Sequence, residues 1–140
     1  MLSKEEKELL LKDLCARLPY GVICKEYYAK VEGKLVQIGI HYYMCLLSND
    51  YGKNEFAYVP NCKPYLFPLS SMTEEQKKYI ADRWGINENF EFEIDPNWGK
   101  YFVELGDAVG FINWCYENHL DINGLIPRNL AIDATDKNIY

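Results

Sequence analysis

From residue 3 to residue 18 the apolar side chains Leu10, Leu11, Leu14, Cys15 and Leu18 recur at helical spacing, while Lys7, Lys12 and Asp13 fall off that stripe. Ser3 and Glu6 have the spacing of a capping box, in which a hydroxyl and a carboxylate each satisfy an open backbone N–H at a helix start. Pro19-Tyr20-Gly21 stops the run. The pattern predicts an amphipathic helix ending near Leu18.

The period then changes to two. Every even position from 36 to 46 is apolar (Val36, Ile38, Ile40, Tyr42, Met44, Leu46). Between 23 and 31 the odd set Ile23, Tyr27, Ala29 and Val31 is the more apolar, with Lys25 the exception. A two-residue loop pairs odd with even positions, so a turn at Gly33-Lys34, or at Glu32-Gly33, gathers both sets on one face of a β-hairpin over residues 22–47. That register predicts burial of Tyr27, Val31, Ile38, Ile40 and Met44. It puts Cys24, Glu26, Tyr28, Lys30, Gln37, His41, Tyr43 and Cys45 on the other face, with Glu26 opposite His41. Ser48-Asn-Asp-Tyr-Gly52 is turn chemistry, and residues 55–59 form a third strand ended by Pro60.

Residues 63–76, KPYLFPLSSMTEEQ, form the pivot of the chain. Pro64 and Pro68 hold the first half extended, and Tyr65, Leu66, Phe67 and Leu69 load it with apolar bulk. Ser71 with Glu74, and Thr73 with Gln76, offer two overlapping capping boxes for a helix over residues 74–84 that Gly85 closes. Beyond it, Phe90, Phe92 and Ile94 alternate with Glu91 and Glu93 as a short strand. A helix follows over about 101–118, and then an apolar tail with Asp133 placed to cap a turn. The expected architecture is α+β in a single domain, residues 1–140. It comprises an N-terminal helix, a small antiparallel sheet of three or four strands, two further helices and a packed C-terminal tail.

Charge sharpens this picture. The net charge is −6, and it is unevenly placed: residues 1–63 hold nine basic and eight acidic groups, residues 64–140 six and thirteen. An acidic back half disfavours nucleic acid as a partner, because phosphate binding needs clustered Lys and Arg. Charged residues occupy the N-terminal positions where a signal peptide needs an apolar core, and no apolar run has the length of a membrane span. Five cysteines, an odd number with no C-x-x-C, point to free thiols in a reducing cytoplasm. A cytoplasmic monomer or homodimer is therefore expected, with no membrane association.

Candidate chemistry is sparse. Cys115 and His119 stand four apart on a helix, but two ligands do not make a zinc site, and no metal or other cofactor is expected. Asp133, Asp136 and Asn138 lack the glycine and distal glutamate of a calcium loop. Glu26 and His41, near Cys24 and Cys45, supply acid, base and thiol on one sheet face, where a structural cross-strand pair explains them better than catalysis. No phosphate-loop, HExxH or GxSxG word occurs, and no catalytic residue is assigned.

The words KPYLFPLSSMTEEQ, NHLDINGLIP and LAIDATDKNIY carry a resemblance. The chain resembles a family of short uncharacterised proteins from gut Bacteroidales and their phages or prophages. The resemblance rests on those words and implies a cytoplasmic, mobile-element context without an assigned activity. With the many tyrosines, it leads to the expectation of a non-enzymatic binding module that contacts a protein partner. The candidate contact residues are Tyr65 and Phe67 on the proline segment and Glu26, Tyr28, His41 and Tyr43 on the sheet. The alternative is a protein that binds or sequesters a small molecule or nucleotide ligand, or a small enzyme, with a pocket beside residues 63–71.

Overall fold

The computed structural model describes residues 1–39, 41–87 and 105–140, with side chains in the last span from residue 108. Helix α1 spans Lys4–Arg17 and opens with the capping box expected of Ser3 and Glu6. A short 3-10 turn over Leu18–Tyr20 and Gly21, at φ 73°, carry the chain into the sheet. Leu10 and Leu14 are fully buried, as the stripe predicts, whereas Cys15 is exposed. Asp13, placed off the stripe, is buried with the leucines, and so is Arg17.

Among the described residues six strands follow: β1 (Ile23–Glu26), β2 (Val31–Gly39), β3 (Met44–Ser48), β4 (Asn54–Tyr58), β5 (Cys62–Leu66) and β6 (Ile132–Asp133). Their order in the sheet is β4-β3-β2-β1-β5-β6, antiparallel except for the parallel β5–β6 pair. The α+β class holds, but the sheet is six-stranded and mixed rather than a small antiparallel one. The proline segment is itself an interior strand, and the tail adds the last.

The hairpin expectation is corrected. β1 pairs with β2 through Ile23↔Lys34, Cys24↔Gly33, Lys25↔Glu32 and Glu26↔Val31, so the turn is residues 27–30 and Gly33-Lys34 lies inside a strand. Glu26 does not face His41, which sits in the turn between β2 and β3. The inward set in β1 is the even one: Cys24 and Glu26 are buried while Tyr27 is exposed. In β2 a register shift between Leu35 and Gln37 switches parity, so Leu35 is buried, Val36 exposed and Ile38 half-buried. Such a bulge places two residues against one and turns the following side chains over. Val31 and Met44 are half-buried, and Ile40 lies outside the described residues.

The sheet is strongly curled. β3 and β5 are separated by two strands, which at about 4.8 Å per strand would hold them about 14 Å apart in a flat sheet. Instead Cys45 Sγ and Cys62 Sγ are 3.9 Å apart. The concave side holds Cys24, Leu35, Cys45, Leu47, Ala57 and Cys62, closed by Leu10 and Leu14 of α1.

Helix α2 (Glu74–Trp84) begins with the Thr73–Gln76 capping box and ends at Gly85, φ 64°, as its sequence predicts. Helix α3 (Leu105–Glu117) lies within the expected span. The expected strand at 90–94 lies outside the described residues. α3 closes with His119 at φ 58°, where the Leu120 N–H reaches the Cys115 carbonyl and the His119 N–H that of Tyr116. This is the Schellman pattern, with histidine where glycine usually sits. A second apolar cluster, Met72, Ile80, Ile86, Cys115 and Leu120, forms between α2 and α3.

Candidate functional site

The proline segment is locked in place on both sides. β5 pairs with β1 along one edge and with β6 along the other, and next to it the Phe67 N–H donates to the His119 carbonyl while its own carbonyl accepts from Asp121. Tyr65 is 6% exposed; its hydroxyl donates to Glu32 Oε2 at 2.8 Å, and its carbonyl accepts from the Tyr140 hydroxyl. Burial and the bond to Glu32 push the Tyr65 phenol up to about 12. Phe67 is half-buried, with its ring 6.0 Å from that of Tyr140. Both expected anchors thus face neighbouring parts of the chain.

Glu26 is 3% exposed, and its two carboxylate oxygens accept the N–H groups of Tyr28, at 3.0 Å, and Ala29, at 2.6 Å. It caps the β1–β2 turn from within, so it is not free to act on a ligand. His41 is exposed, and Tyr43 is half-buried at φ 52° against the main core. The six expected contact residues therefore do not converge. Only Tyr28, 83% exposed, stands on an open concave surface.

That surface is a groove of about 750 Å³ between the β1–β2 turn, the 3-10 turn Val59–Asn61 and the start of α1. Its walls include Tyr27, Tyr28, Tyr58, Pro60, Asn61, Leu2, Lys7 and Lys63. The Tyr27 N–H donates to the Asn61 carbonyl at 3.1 Å and pins the turn against the 3-10 segment. Glu26 holds the same turn from below, and this cap explains how two adjacent tyrosines stay exposed in a defined arrangement.

The groove is aromatic and basic. Lys63 Nζ lies 5.0 Å from the Tyr27 ring centroid, and Lys25 Nζ 5.9 Å away on the same ring. Lys63 also donates to Asn129 Oδ1, a neutral acceptor, so its charge is not offset. Among the described residues no carboxylate lines the groove, and Lys7, Lys25 and Lys63 form no ion pair. Sequence reasoning missed Tyr27, Tyr58, Pro60 and the lysines, because strand parity assigned Tyr27 to the core and nothing local marks Pro60 as a groove wall.

Cys24, Cys62 and Cys115 are poor nucleophiles, since the thiolate is the reactive form, whereas the bond with Cys62 lowers the buried Cys45 thiol. Burial pushes Cys24 well up and Cys115 up to about 12, and the contact with Cys45 followed by burial pushes Cys62 up. Cys115 is wholly buried, and the His119 ring stacks on Tyr140 at 3.6 Å. Among the described residues no group of three or more His, Cys, Asp or Glu side chains is placed to hold a metal ion, and no helix is long and apolar enough to cross a membrane. Asp133 accepts from the N–H and hydroxyl of Thr135, the turn cap its position suggests, and these bonds lower its carboxyl pKa. Compared with protein-family models, curated proteins and solved structures, the chain matches none.

Proposed function

We propose that this chain is a non-enzymatic, cytoplasmic binding module of phage or prophage origin, and that it grips an extended segment of a protein partner in the groove between Tyr28 and Pro60. The observation that carries this reading is the set of exposed rings, Tyr27, Tyr28 and Tyr58, held in one concave wall by the Tyr27–Asn61 bond and the Glu26 cap. Tyrosine gives large contact area at low entropic cost and keeps a polar tip for hydrogen bonding, which suits it to recognition surfaces. The buried acid at Glu26 supports the shape of the site and takes no part in chemistry.

The reading is tested by placing a photo-crosslinking phenylalanine analogue at position 28, and separately at Tyr51, which is equally exposed on the β3–β4 turn. In a gut Bacteroidales lysate, a discrete protein adduct should form from position 28 and not from position 51. Excess wild-type chain should compete it away, and the Tyr28→Ala chain should not. Adducts that are equal from both positions, or that survive competition, would count against the groove as the contact surface.

A further inference from the structure

We infer that the groove selects an acidic, proline-containing peptide bound in polyproline II conformation; this rests on the reading of the groove as a peptide site and names what it takes. Three modes of peptide recognition compete, and the walls discriminate among them. Strand addition needs an open backbone edge, but the groove presents side chains from a turn, a 3-10 segment and a helix start. A docked amphipathic helix needs an apolar trough for anchors one turn apart, whereas the aliphatic side chains here are Met1 and Leu2 beside the start of α1, and the remaining walls are tyrosine, lysine, asparagine and proline. Polyproline II fits both the rings and the polar tips. Its prolines pack on aromatic faces, its carbonyls find no partner within the peptide, and its stiffness means little entropy is lost on binding. The donors such carbonyls need are present. Among the described residues, the hydroxyls of Tyr27, Tyr28 and Tyr58 and the side-chain amide of Asn61 make no intramolecular hydrogen bond.

Charge sets the sign of the flanking residues. Lys7 and Lys63 line the groove, and no carboxylate does so among the described residues, on a chain whose net charge is −6; Lys25 reaches the Tyr27 ring but stands opposite Glu32 in the strand pair. The molecule as a whole attracts a basic peptide, but at the groove such a peptide meets the ammonium groups of Lys7 and Lys63. An acidic peptide is drawn to those two charges where it binds. Lysine heads spread around a ring face favour carboxylates at the margins of the peptide, with proline against the tyrosines at its centre.

The test is selection from an unbiased display library of 16-residue peptides against the full chain, repeated with Tyr28→Ala. Tyr28 projects into solvent, so that variant should keep the wild-type melting temperature. The expected result is enrichment of peptides with two or more prolines flanked by Asp or Glu, lost with Tyr28→Ala. A synthetic member should bind at micromolar concentration, weaken at least tenfold when its acids become lysines, and weaken again with Lys7→Glu and with added salt. Enriched peptides of another chemistry that still need Tyr28 would overturn this inference while leaving the groove as a peptide site. No enrichment, or enrichment indifferent to Tyr28, would overturn both.

Discussion

Asp13 and Arg17 form an ion pair inside the protein, with Nε to Oδ1 at 2.6 Å and Nη2 to Oδ2 at 3.2 Å, and neither residue is more than 1% exposed. Arg17 Nη2 also donates to the Leu120 carbonyl at 2.8 Å, and the guanidinium lies 4.9 Å from the Tyr116 ring centroid. Asn123 donates to Asp13 Oδ2 at 2.9 Å. One turn of α1 is thereby tied to the end of α3 and to the tail, joining the sheet core to the cluster between α2 and α3.

The cost of breaking this pair is predicted to exceed its net contribution. Arg17→Met leaves the Asp13 carboxylate buried and unpaired, and urea unfolding should show a loss of about 3–5 kcal/mol. The double change Asp13→Leu with Arg17→Met removes both charges and should recover most of that loss. A double variant as unstable as the single one would mean that the loss comes from packing of the arginine stem rather than from the stranded charge.

The proline segment should behave as core. Leu66 is wholly buried, and Leu66→Ala should cost about 2–5 kcal/mol in chemical denaturation. Phe67 is only half-buried against Tyr140, and Phe67→Ala should cost less, about 2–3 kcal/mol. Neither should alter peptide affinity in the folded protein, because the groove is built from other residues. Loss of binding with unchanged stability in Phe67→Ala would make this segment the contact site instead.

His119 gives the fold a defined pH dependence. Its imidazole is held down to about 4 by burial and by the nearby Arg17 guanidinium, while in the unfolded chain it titrates near 6.5. Below 6.5 the unfolded state takes up a proton that the folded state refuses, so this residue's contribution is present above pH 6.5 and is lost as pH falls towards 4. Carboxylates titrate in the same range, so the measurement is a difference. The stability of wild type relative to His119→Gln should decline between pH 6.5 and 4 and level off on either side. A constant difference across that window would place the neutral and charged imidazoles on an equal footing in the fold.

What could be read from the chain follows from the range of each signal. Capping boxes, the glycine after α2 and the stripe of α1 are local, complete within one helix, and the structure has them where the residues put them. The proline segment could be recognised as rigid and apolar, but not as an interior strand, because its partners Cys24 and Ile132 lie 40 and 67 residues from Pro64 and Tyr65. Asp13 falls off the apolar stripe and reads as polar surface, because Leu120 and Asn123, which complete its pair with Arg17, come from the far end of the chain. The groove is hidden for the same reason: its walls come from α1, the β1–β2 turn and the 3-10 segment, and Tyr27 meets the 3-10 segment only because β1 pairs with β5.

The hairpin shows how a correct rule can select the wrong turn, and the error gives a test that turns on a sign. An even-length loop pairs odd with even positions whether it has two residues or four, so parity could not separate a turn at Gly33-Lys34 from the one at residues 27–30. The bulge after Leu35 then inverted the apolar pattern that was meant to decide it. In the observed turn Lys30 sits at φ 56°, in the left-handed region that L-residues enter at a cost of about 1–2 kcal/mol and glycine enters freely. Set against the extra entropy glycine loses on folding, Lys30→Gly should stabilise the protein by about 0.5–1 kcal/mol. Were Lys30 in the middle of a strand, as the two-residue turn requires, the same change would destabilise it by a similar amount. Gly33 gives the companion measurement. A Cβ there would meet the Ser48 carbonyl oxygen, so Gly33→Ala must push β2 and β3 apart and should lower the urea midpoint by the equivalent of about 1–3 kcal/mol. A stabilising Lys30→Gly together with a destabilising Gly33→Ala is the signature of the observed register, and a destabilising Lys30→Gly would contradict it.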